Sequence, residues 1–176
     1  MTNILMNNTQ HKIYEQAELA QEVQRRQAAG ERAVFTNGCF DLLHLGHVRY
    51  LQEARALGDF LVLGLNSDDS VRQLKGADRP LVPEMERAEI LAALTCIDYV
   101  TIFTEPTAEQ IVALLQPAIY VKGGDWGQDL QPDLSRLVEA KIVQAYGGTV
   151  RLIPYLPNHS TTALITAIQH LSSTKG

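Results

Sequence analysis

The stretch Val34-Phe35-Thr36-Asn37-Gly38-Cys39-Phe40-Asp41-Leu42-Leu43-His44-Leu45-Gly46-His47-Val48-Arg49-Tyr50-Leu51 decides the fold of this chain. It joins a short apolar run, predicted to be a strand, to an apolar-periodic segment predicted to be a helix that begins near Leu45. Gly38 and a short turn separate the two, and two histidines stand at the helix start. A helix N-terminus offers unpaired N–H groups and the positive end of the helix dipole. The stretch therefore predicts a site for a phosphate group.

Strands and helices alternate around this stretch along the rest of the chain. The predicted strands are Arg32–Thr36, Phe60–Leu65, Tyr99–Phe103, Ala118–Lys122 and Thr149–Ile153. The predicted helices are Ile13–Ala29, Leu45–Leu57, Ser70–Leu74, Pro83–Leu94, Thr107–Leu115, Leu134–Tyr146 and a last one through Leu171. This alternation predicts an α/β fold with a doubly wound, Rossmann-like parallel sheet, whose ligands bind beyond the carboxyl ends of the strands.

The chain divides into two predicted parts. Residues 1–30 are expected to form a tail and a surface helix, and residues 31–176 the main domain. The helix has a thin apolar face made of Ile13, Leu19 and Val23. Such a face predicts a place on the domain surface or at a subunit contact.

Composition narrows the classes of function. The net charge of -5 argues against a nucleic-acid partner, and no apolar run approaches the length of a membrane span. The N-terminus has no secretory pattern. Cys39 and Cys96 have neither metal-ligand nor C-x-x-C spacing, and Cys39 is interpreted as a small residue beside a turn rather than a catalytic thiol. We expect a cytoplasmic protein.

The His-x-Gly-His pattern carries the strongest chemical signal. His44 and His47 are three residues apart at a helix start and so share one face. Gly46 lets a ligand approach the backbone closely. Two imidazoles there can donate hydrogen bonds to phosphate oxygens. A metal site made of Asp41, His44 and His47 and a purely structural role remain as weaker alternatives. A G-x-G-x-x-G after the first strand and a Walker A motif are both absent, which disfavours hydride transfer and P-loop chemistry.

Further candidate residues follow the other strands. Ser160-Thr161-Thr162 at a helix start is either a plain N-cap or a second phosphate site. Lys75 and Arg79 flank a glycine in a polar loop that could stabilise charge on phosphate; the alternative is a solvated loop. Lys122-Gly123-Gly124-Asp125-Trp126 could hold a ligand by its free backbone, by Asp125 and by Trp126, or could be a turn with one packed Trp. Arg87 could pair with a carboxylate or contact substrate.

These residues resemble the cytidylyltransferase-like nucleotidyltransferases, which have the HIGH-type fold. Gly38–His47 matches the family signature position by position, and Ser160-Thr161-Thr162 is similar to its second nucleotide motif. Within the family the chain is most similar to the branch that transfers AMP from ATP to D-glycero-β-D-manno-heptose 1-phosphate in lipopolysaccharide precursor synthesis. That branch occurs fused to a sugar kinase or free-standing, and the chain resembles the free-standing form. The likeness extends from about Arg32 to Gln169 and includes Asn66–Asp68, Leu74–Pro80, Val121–Trp126 and Tyr146–Val150.

The resemblance implies a role for each motif residue. His44, His47 and Lys75 would be catalytic. The nucleotide would contact Thr36, Asn37, Gly38, Cys39, Phe40, Gly46, Lys122, Gly123, Ser160, Thr161 and Thr162. Substrate contacts are expected from Asp41, Asn66, Arg79, Arg87, Asp125 and Trp126. ATP would be a substrate accompanied by Mg²⁺ with no protein-only metal site, the acceptor would be a sugar phosphate, and the protein would be a homodimer without nucleic-acid or membrane partners.

Three positions depart from family patterns. Tyr155 and Ile165 stand where some relatives carry Arg, which leaves triphosphate binding short of a cation that Lys75 or Lys122 must supply. His159 occupies a position that is often small in the heptose branch. The alternatives are a cytidylyltransferase acting on glycerol 3-phosphate or another phospho-alcohol, a non-catalytic nucleotide-binding protein, and, least favoured, a metal hydrolase.

Overall fold

The computed structural model describes residues 9–124, 134, 137–154, 156, 157 and 159–173. Its strands are β1 (Ala33–Gly38), β2 (Phe60–Asn66), β3 (Tyr99–Phe103), β4 (Ile119–Gly124) and β5 (Thr149–Pro154). Its α-helices are α1 (Gln16–Ala28), α2 (Leu45–Arg55), α3 (Asp68–Lys75), α4 (Glu84–Ala92), α5 (Glu109–Leu115), α6 (Val138–Ala145) and α7 (Thr161–Ser173). A short 3₁₀ turn, Gln10–Lys12, precedes α1.

The five strands form one parallel sheet in the order β3-β2-β1-β4-β5. β1 lies in the middle and pairs with β2 and β4, so the chain changes direction across the sheet at β1. This arrangement confirms the predicted α/β fold, and strand Tyr99–Phe103 has the predicted bounds. In such a sheet the carboxyl ends of β1 and β4 diverge towards different helices and open a crevice for ligands.

Successive residues of β1 point to opposite faces of the sheet and pack into two separate cores. Val34 belongs to a core formed with α2 and α4, whereas Ala33 and Phe35 belong to a core formed with α1 and α5. Every residue of β2 is buried, as expected for a strand covered on both faces. Gly64 in β2 is required by this packing, because a Cβ there would lie 2.7 Å from the Phe35 ring.

The thin apolar face of α1 is covered within the chain. Leu19 and Val23 are fully buried and pack in the same core as α5. The segment before α1 is also attached to the sheet, since the Tyr14 N–H donates to the Val100 carbonyl and the Lys12 ammonium donates to the Ile97 carbonyl at 2.8 Å. The stripe that suggested a surface or subunit contact therefore has an intramolecular partner.

Helix ends differ from the predicted ones for local reasons. α3 begins at Asp68 rather than Ser70, because the Ser67 side chain accepts from the Ser70 N–H and serves as the N-cap. α6 begins at Val138, four residues after the predicted start, and residues 135 and 136 lie outside the described part. No helix among the described residues is long and apolar enough to span a membrane.

Candidate active site

A cavity of about 660 Å³ lies at the carboxyl ends of the strands and is large enough for a nucleotide. Most of the predicted site residues line it: Asn37, Gly38, Cys39, Phe40, Asp41, His44, Gly46, His47, Asn66, Lys75, Arg79, Lys122, Gly123, Ser160, Thr161 and Thr162. Thr36 and Arg87 do not, and Asp125, Trp126 and Tyr155 lie outside the described residues. The fold thus brings together motifs that are more than 100 residues apart in the chain.

The two histidines form a stacked pair at the start of α2. Their ring centroids are 3.9 Å apart with an interplanar angle of 24°, and His47 also contacts the Phe40 ring at 5.2 Å. The Nδ1 atoms of both imidazoles are buried and have no hydrogen-bond partner within the described part of the protein. Buried polar atoms are normally paired, so these two are exceptions, and both histidines line the cavity.

Burial favours the neutral form of both histidines. It lowers the pKa of His47 to about 4; the charge of His44 acts in the same direction, and a backbone hydrogen bond at Leu42 opposes the shift. Burial also lowers the pKa of His44, with a smaller contribution from His159. A bound anion would favour the charged imidazoles, so the pair can respond to phosphate by taking up a proton.

Gly46 is needed by the packing of the histidines around it. A Cβ at this position would lie 2.9 Å from the His44 ring and 3.1 Å from the His159 Cβ. His159 therefore lies against the first turn of α2, where it extends the pair into a group of three histidines. The sequence left the effect of His159 undetermined.

Phe40 holds an uncommon backbone conformation beside the histidines. Its φ of 43° lies in the left-handed region, which bulky residues rarely occupy. The ring is nearly buried and covers Gly38, where a Cβ would lie 2.9 Å from a ring carbon. Strain of this kind, about 1–3 kcal/mol, is typical of functional turns held by their surroundings.

Asp41 anchors the loop that follows α3. Its Oδ2 pairs with Arg79 Nε at 2.5 Å, and its Oδ1 accepts from the backbone N–H groups of Leu81 and Val82. Both carboxylate oxygens are thus bonded to protein, and Asp41 does not pair with the histidines. Among the described residues, no three His, Cys, Asp or Glu side chains stand in a metal-binding arrangement.

Lys75 and Arg79 lie at opposite ends of this anchored loop. Lys75 is the exposed last residue of α3 and lines the cavity, and Gly76 follows it with a φ of 101°. Asp41 fixes Arg79, whereas no hydrogen bond or ion pair to a described residue holds the Lys75 ammonium. Lys75 is therefore the cation of this loop that is available to a ligand.

Arg87 lies behind the site rather than in it. Its side chain is fully buried and pairs with Asp68 at 2.7 Å. The same guanidinium donates to the backbone carbonyls of Val82, Cys39 and Asn66. Of the two interpretations that the sequence left open, the pairing with a carboxylate is the one seen. The predicted substrate contact of Arg87 gains no support from this geometry, because the side chain is buried and four of its five N–H donors bond to protein groups.

The wall formed by β1 and β4 carries a second polar group of side chains. Asn37 Oδ1 accepts from the Tyr120 hydroxyl at 2.8 Å and from Lys122 Nζ at 3.2 Å. Burial lowers the pKa of Lys122, and the charge of Glu139 opposes that shift. Thr36 lies below this wall, 2.5 Å from the Tyr50 hydroxyl.

The start of α7 forms the opposite side of the cavity. The Ser160 hydroxyl accepts from the Ala163 N–H at 3.1 Å and so caps the helix, which agrees with the N-cap interpretation. The Thr161 hydroxyl donates to the Leu42 carbonyl at 3.4 Å and links α7 to the turn before α2. Two helix N-termini, those of α2 and α7, thus face one cavity, an arrangement suited to a polyphosphate.

Comparison with known proteins identifies the group to which this site belongs. The model of the cytidylyltransferase-like family matches residues 35–167. The chain belongs to the cytidylyltransferase-like family. It is a nucleotidyltransferase, and the matched residues include the stacked histidines and the first turn of α7.

Individual relatives agree with this assignment. The bifunctional protein HldE of Geotalea uraniireducens is 53% identical over 151 residues, which are 86% of this chain and 30% of that protein. The HldE protein of Pelobacter propionicus is 51% identical over 92% of this chain and 32% of its own length. The chain therefore spans about a third of these relatives. The crystal structure of a lipopolysaccharide core biosynthesis protein from Thermoplasma volcanium has a TM-score of 0.56 and 28% identity, covering 72% of this chain and 98% of that one.

Some residues of the nucleotidyltransferase cavity were missed by the sequence analysis. Glu139 is the main one: it is buried, lies in the first turn of α6 and lines the cavity. Tyr50, Pro106 and Thr107 also line it. The only signal for Glu139 in the sequence is a lone carboxylate within the apolar run Leu137-Val138-Glu139-Ala140, since charged residues are rarely buried without a specific role.

Proposed function

We propose that this nucleotidyltransferase transfers AMP from ATP to D-glycero-β-D-manno-heptose 1-phosphate and releases pyrophosphate. The observation that carries the choice of substrate is the identity of 50% or more, over most of this chain, to relatives named bifunctional protein HldE. Their bifunctional name agrees with the kinase-fused form of the heptose branch that the sequence motifs resemble. The similarity to a lipopolysaccharide core biosynthesis protein from Thermoplasma volcanium is consistent with such a sugar.

The reaction is a single in-line displacement. An oxygen of the sugar 1-phosphate attacks the α-phosphorus of ATP and forms the new P–O bond. The bond from the α-phosphorus to the bridging oxygen of the β-phosphate breaks, and pyrophosphate leaves with that electron pair. The acceptor phosphate reacts as an anion, so no strong general base is required, and catalysis consists of positioning and charge stabilisation.

His44 and His47 supply that charge stabilisation from the start of α2. Both histidines line the cavity, so one or both rings can donate to the phosphate oxygens on which charge grows. Neutral imidazoles become better donors on protonation, and the approach of the triphosphate favours that protonation. The stacked geometry holds both rings together at the start of α2.

Lys75 and the start of α7 would hold the leaving group. Lys75 is the cation of the Asp41-anchored loop that has no described partner, so it can move towards the β- and γ-phosphates. The hydroxyls and N–H groups near Ser160–Thr162 supply further donors. Lys122 would provide the second cation expected in place of the arginines that Tyr155 and Ile165 replace.

Mg²⁺ enters this proposal only as part of the substrate. The described cavity residues offer no cluster of ligands for it, and the Asp41 oxygens are already bonded. Mg²⁺ typically keeps several waters and binds through substrate phosphates, so it would arrive as MgATP. No residue of the chain is assigned to it.

The test is turnover of ATP and CTP, each with heptose 1-phosphate and with glycerol 3-phosphate, measured as pyrophosphate release. We expect product only with ATP and the heptose. The His44→Ala variant prepared in parallel controls for contaminating activity. Activity with CTP and glycerol 3-phosphate alone would end the heptose proposal.

A homodimeric state and a cytoplasmic location accompany this proposal; the first rests on the resemblance to the heptose branch and the second on the composition of the chain. Light scattering on the purified protein measures the first. A monomeric mass at micromolar concentration would contradict it.

A further inference from the structure

Glu139 is a buried carboxylate in a cavity that otherwise suits phosphate. It is 4% exposed and lies in the first turn of α6. Its Oε1 accepts a hydrogen bond from the Ala108 N–H at 3.1 Å. Among the described residues, no other donor to this carboxylate is found.

A carboxylate in this position would repel a phosphate, so its hydrogen-bond donors must come from the protein or from an uncharged part of a ligand. Leaving a buried charge with too few partners is costly. The nearby Thr107 hydroxyl donates to Glu109 instead, and Lys122 makes no direct ion pair with Glu139 although the two charges interact. The unused acceptor capacity of Glu139 is therefore suited to hydroxyl groups of a ligand.

Glu139 lies on a different wall of the cavity from the two helix starts. It stands with Asn37 and Lys122 on the side of β1 and β4, whereas the histidines and Ser160–Thr162 belong to α2 and α7. A substrate whose phosphates lie at the helix starts would extend its sugar towards the other side. A cation, Lys122, and an anion, Glu139, on one wall match a ligand that carries both a phosphate and hydroxyls.

We propose that Glu139 binds neighbouring hydroxyl groups of a sugar ring through the carboxylate oxygen that Ala108 does not use. The inference rests on the proposed function, because that function places sugars in the cavity. The hydroxyls have two sources, the ribose of the nucleotide and the ring of the acceptor sugar phosphate. The competing role is structural: Glu139 caps the start of α5 through Ala108 and does nothing else.

The first arm of the experiment measures equilibrium binding of ATP, 2′-deoxyATP and 3′-deoxyATP by calorimetry. It compares the wild type with Glu139→Gln, which keeps an oxygen for Ala108 but removes the charge. If the ribose is the source, we expect ATP to bind about 10-fold more weakly to the variant. Deletion of the contacted hydroxyl should then weaken binding to the wild type but have little further effect in the variant.

The second arm measures KM for the sugar phosphate at saturating ATP. If the acceptor is the source, its KM rises about 10-fold in Glu139→Gln while ATP binding is unchanged. Glu109→Gln, on the first turn of α5 and outside the cavity lining, is the matched control and should leave both quantities as in the wild type. Glu139→Asp keeps the charge but places it one methylene further from the ligand. It should change the same measured quantity as Glu139→Gln, either ATP affinity or the KM for the sugar phosphate, and it replaces that variant if Glu139→Gln folds poorly.

The outcomes distinguish the roles. A lower melting temperature for Glu139→Gln with ATP affinity and sugar KM both unchanged would overturn the proposal in favour of the cap. An absence of turnover of heptose 1-phosphate by the wild type would overturn the proposed function alone, because the first arm needs only ATP binding.

Discussion

The histidine pair of α2 and the buried Arg87 lie on two sides of the same turn, and they differ in how their polar atoms are satisfied. Both Nδ1 atoms of His44 and His47 are without described partners. Arg87, in contrast, uses its guanidinium on one carboxylate and three backbone carbonyls. The sequence predicted a catalytic role for the histidines and left Arg87 between a carboxylate pair and a substrate contact. Arg87 therefore holds the turn in place, whereas the histidine rings line the cavity and lack such a set of described partners.

Arg87→Met should give the largest effect, and it should be on stability. Removing the guanidinium leaves the Asp68 carboxylate and three carbonyls without their donor. We expect the free energy of unfolding to fall by about 3–5 kcal/mol, as when one partner of a buried pair is lost. Denaturant titration measures it.

Arg72→Met is the matched control for Arg87, because Arg72 pairs with Asp69 on the surface. The free energy of unfolding of Arg72→Met should fall by no more than about 1 kcal/mol. Equal losses for the two variants would show that Arg87 is not the scaffold of the turn.

His44→Ala should give the next largest effect, and it should be on catalysis. Losing a donor that stabilises transition-state charge typically lowers kcat by about 100-fold or more. Because the Nδ1 atom has no described protein partner, the melting temperature should change little. Steady-state kinetics beside a thermal melt measure both.

His11→Ala is the control for His44, since His11 is exposed and does not line the cavity. An unchanged kcat in His44→Ala would refute the catalytic role. A large loss of stability in His44→Ala would contradict the claim that His44, unlike Arg87, contributes little to the stability of the fold.

The effect that is smallest at neutral pH, and grows only below pH 6.5, is the pH dependence of stability that His47 contributes. Its folded pKa of about 4 lies below the ordinary value near 6.5, so the unfolded chain binds more protons between these pH values. Stability should therefore rise with pH across this window and fall as pH drops from 6.5 towards 4. His47→Asn should flatten the slope, as measured by denaturant titration at several pH values; an unchanged slope would contradict the assigned burial of His47.

The sequence predicted the sheet well because its strands carry local signals. The continuous apolar run of Phe60–Leu65 and the alternation with helices are visible without any tertiary information. The sequence did not predict the partner of the α1 apolar face. Leu19 and Val23 pack against α5, and no local pattern around α1 indicates this contact.

The sequence predicted those site residues that lie in one continuous motif. It did not predict the roles of residues whose partners come from distant segments of the chain. Gly38–His47 is a continuous signature, and its histidines were identified directly. The partners of Arg87 come from Cys39, Asn66 and Val82, three separate segments, so its role required the fold. Glu139 was missed for the same reason, because its burial depends on α5 and β4 rather than on its own neighbours.

The hydrogen bond from Thr161 to the Leu42 carbonyl joins segments 119 residues apart. Contacts of such high sequence separation carry a large loop-closure cost and form after local structure during folding. The halves of the cavity therefore meet only when β4, β5 and α7 have docked onto the β1–α2 unit. We expect ATP binding to recover later during refolding than the helical circular dichroism signal. Recovery of ATP binding would then report the docking of the last segments onto the folded protein.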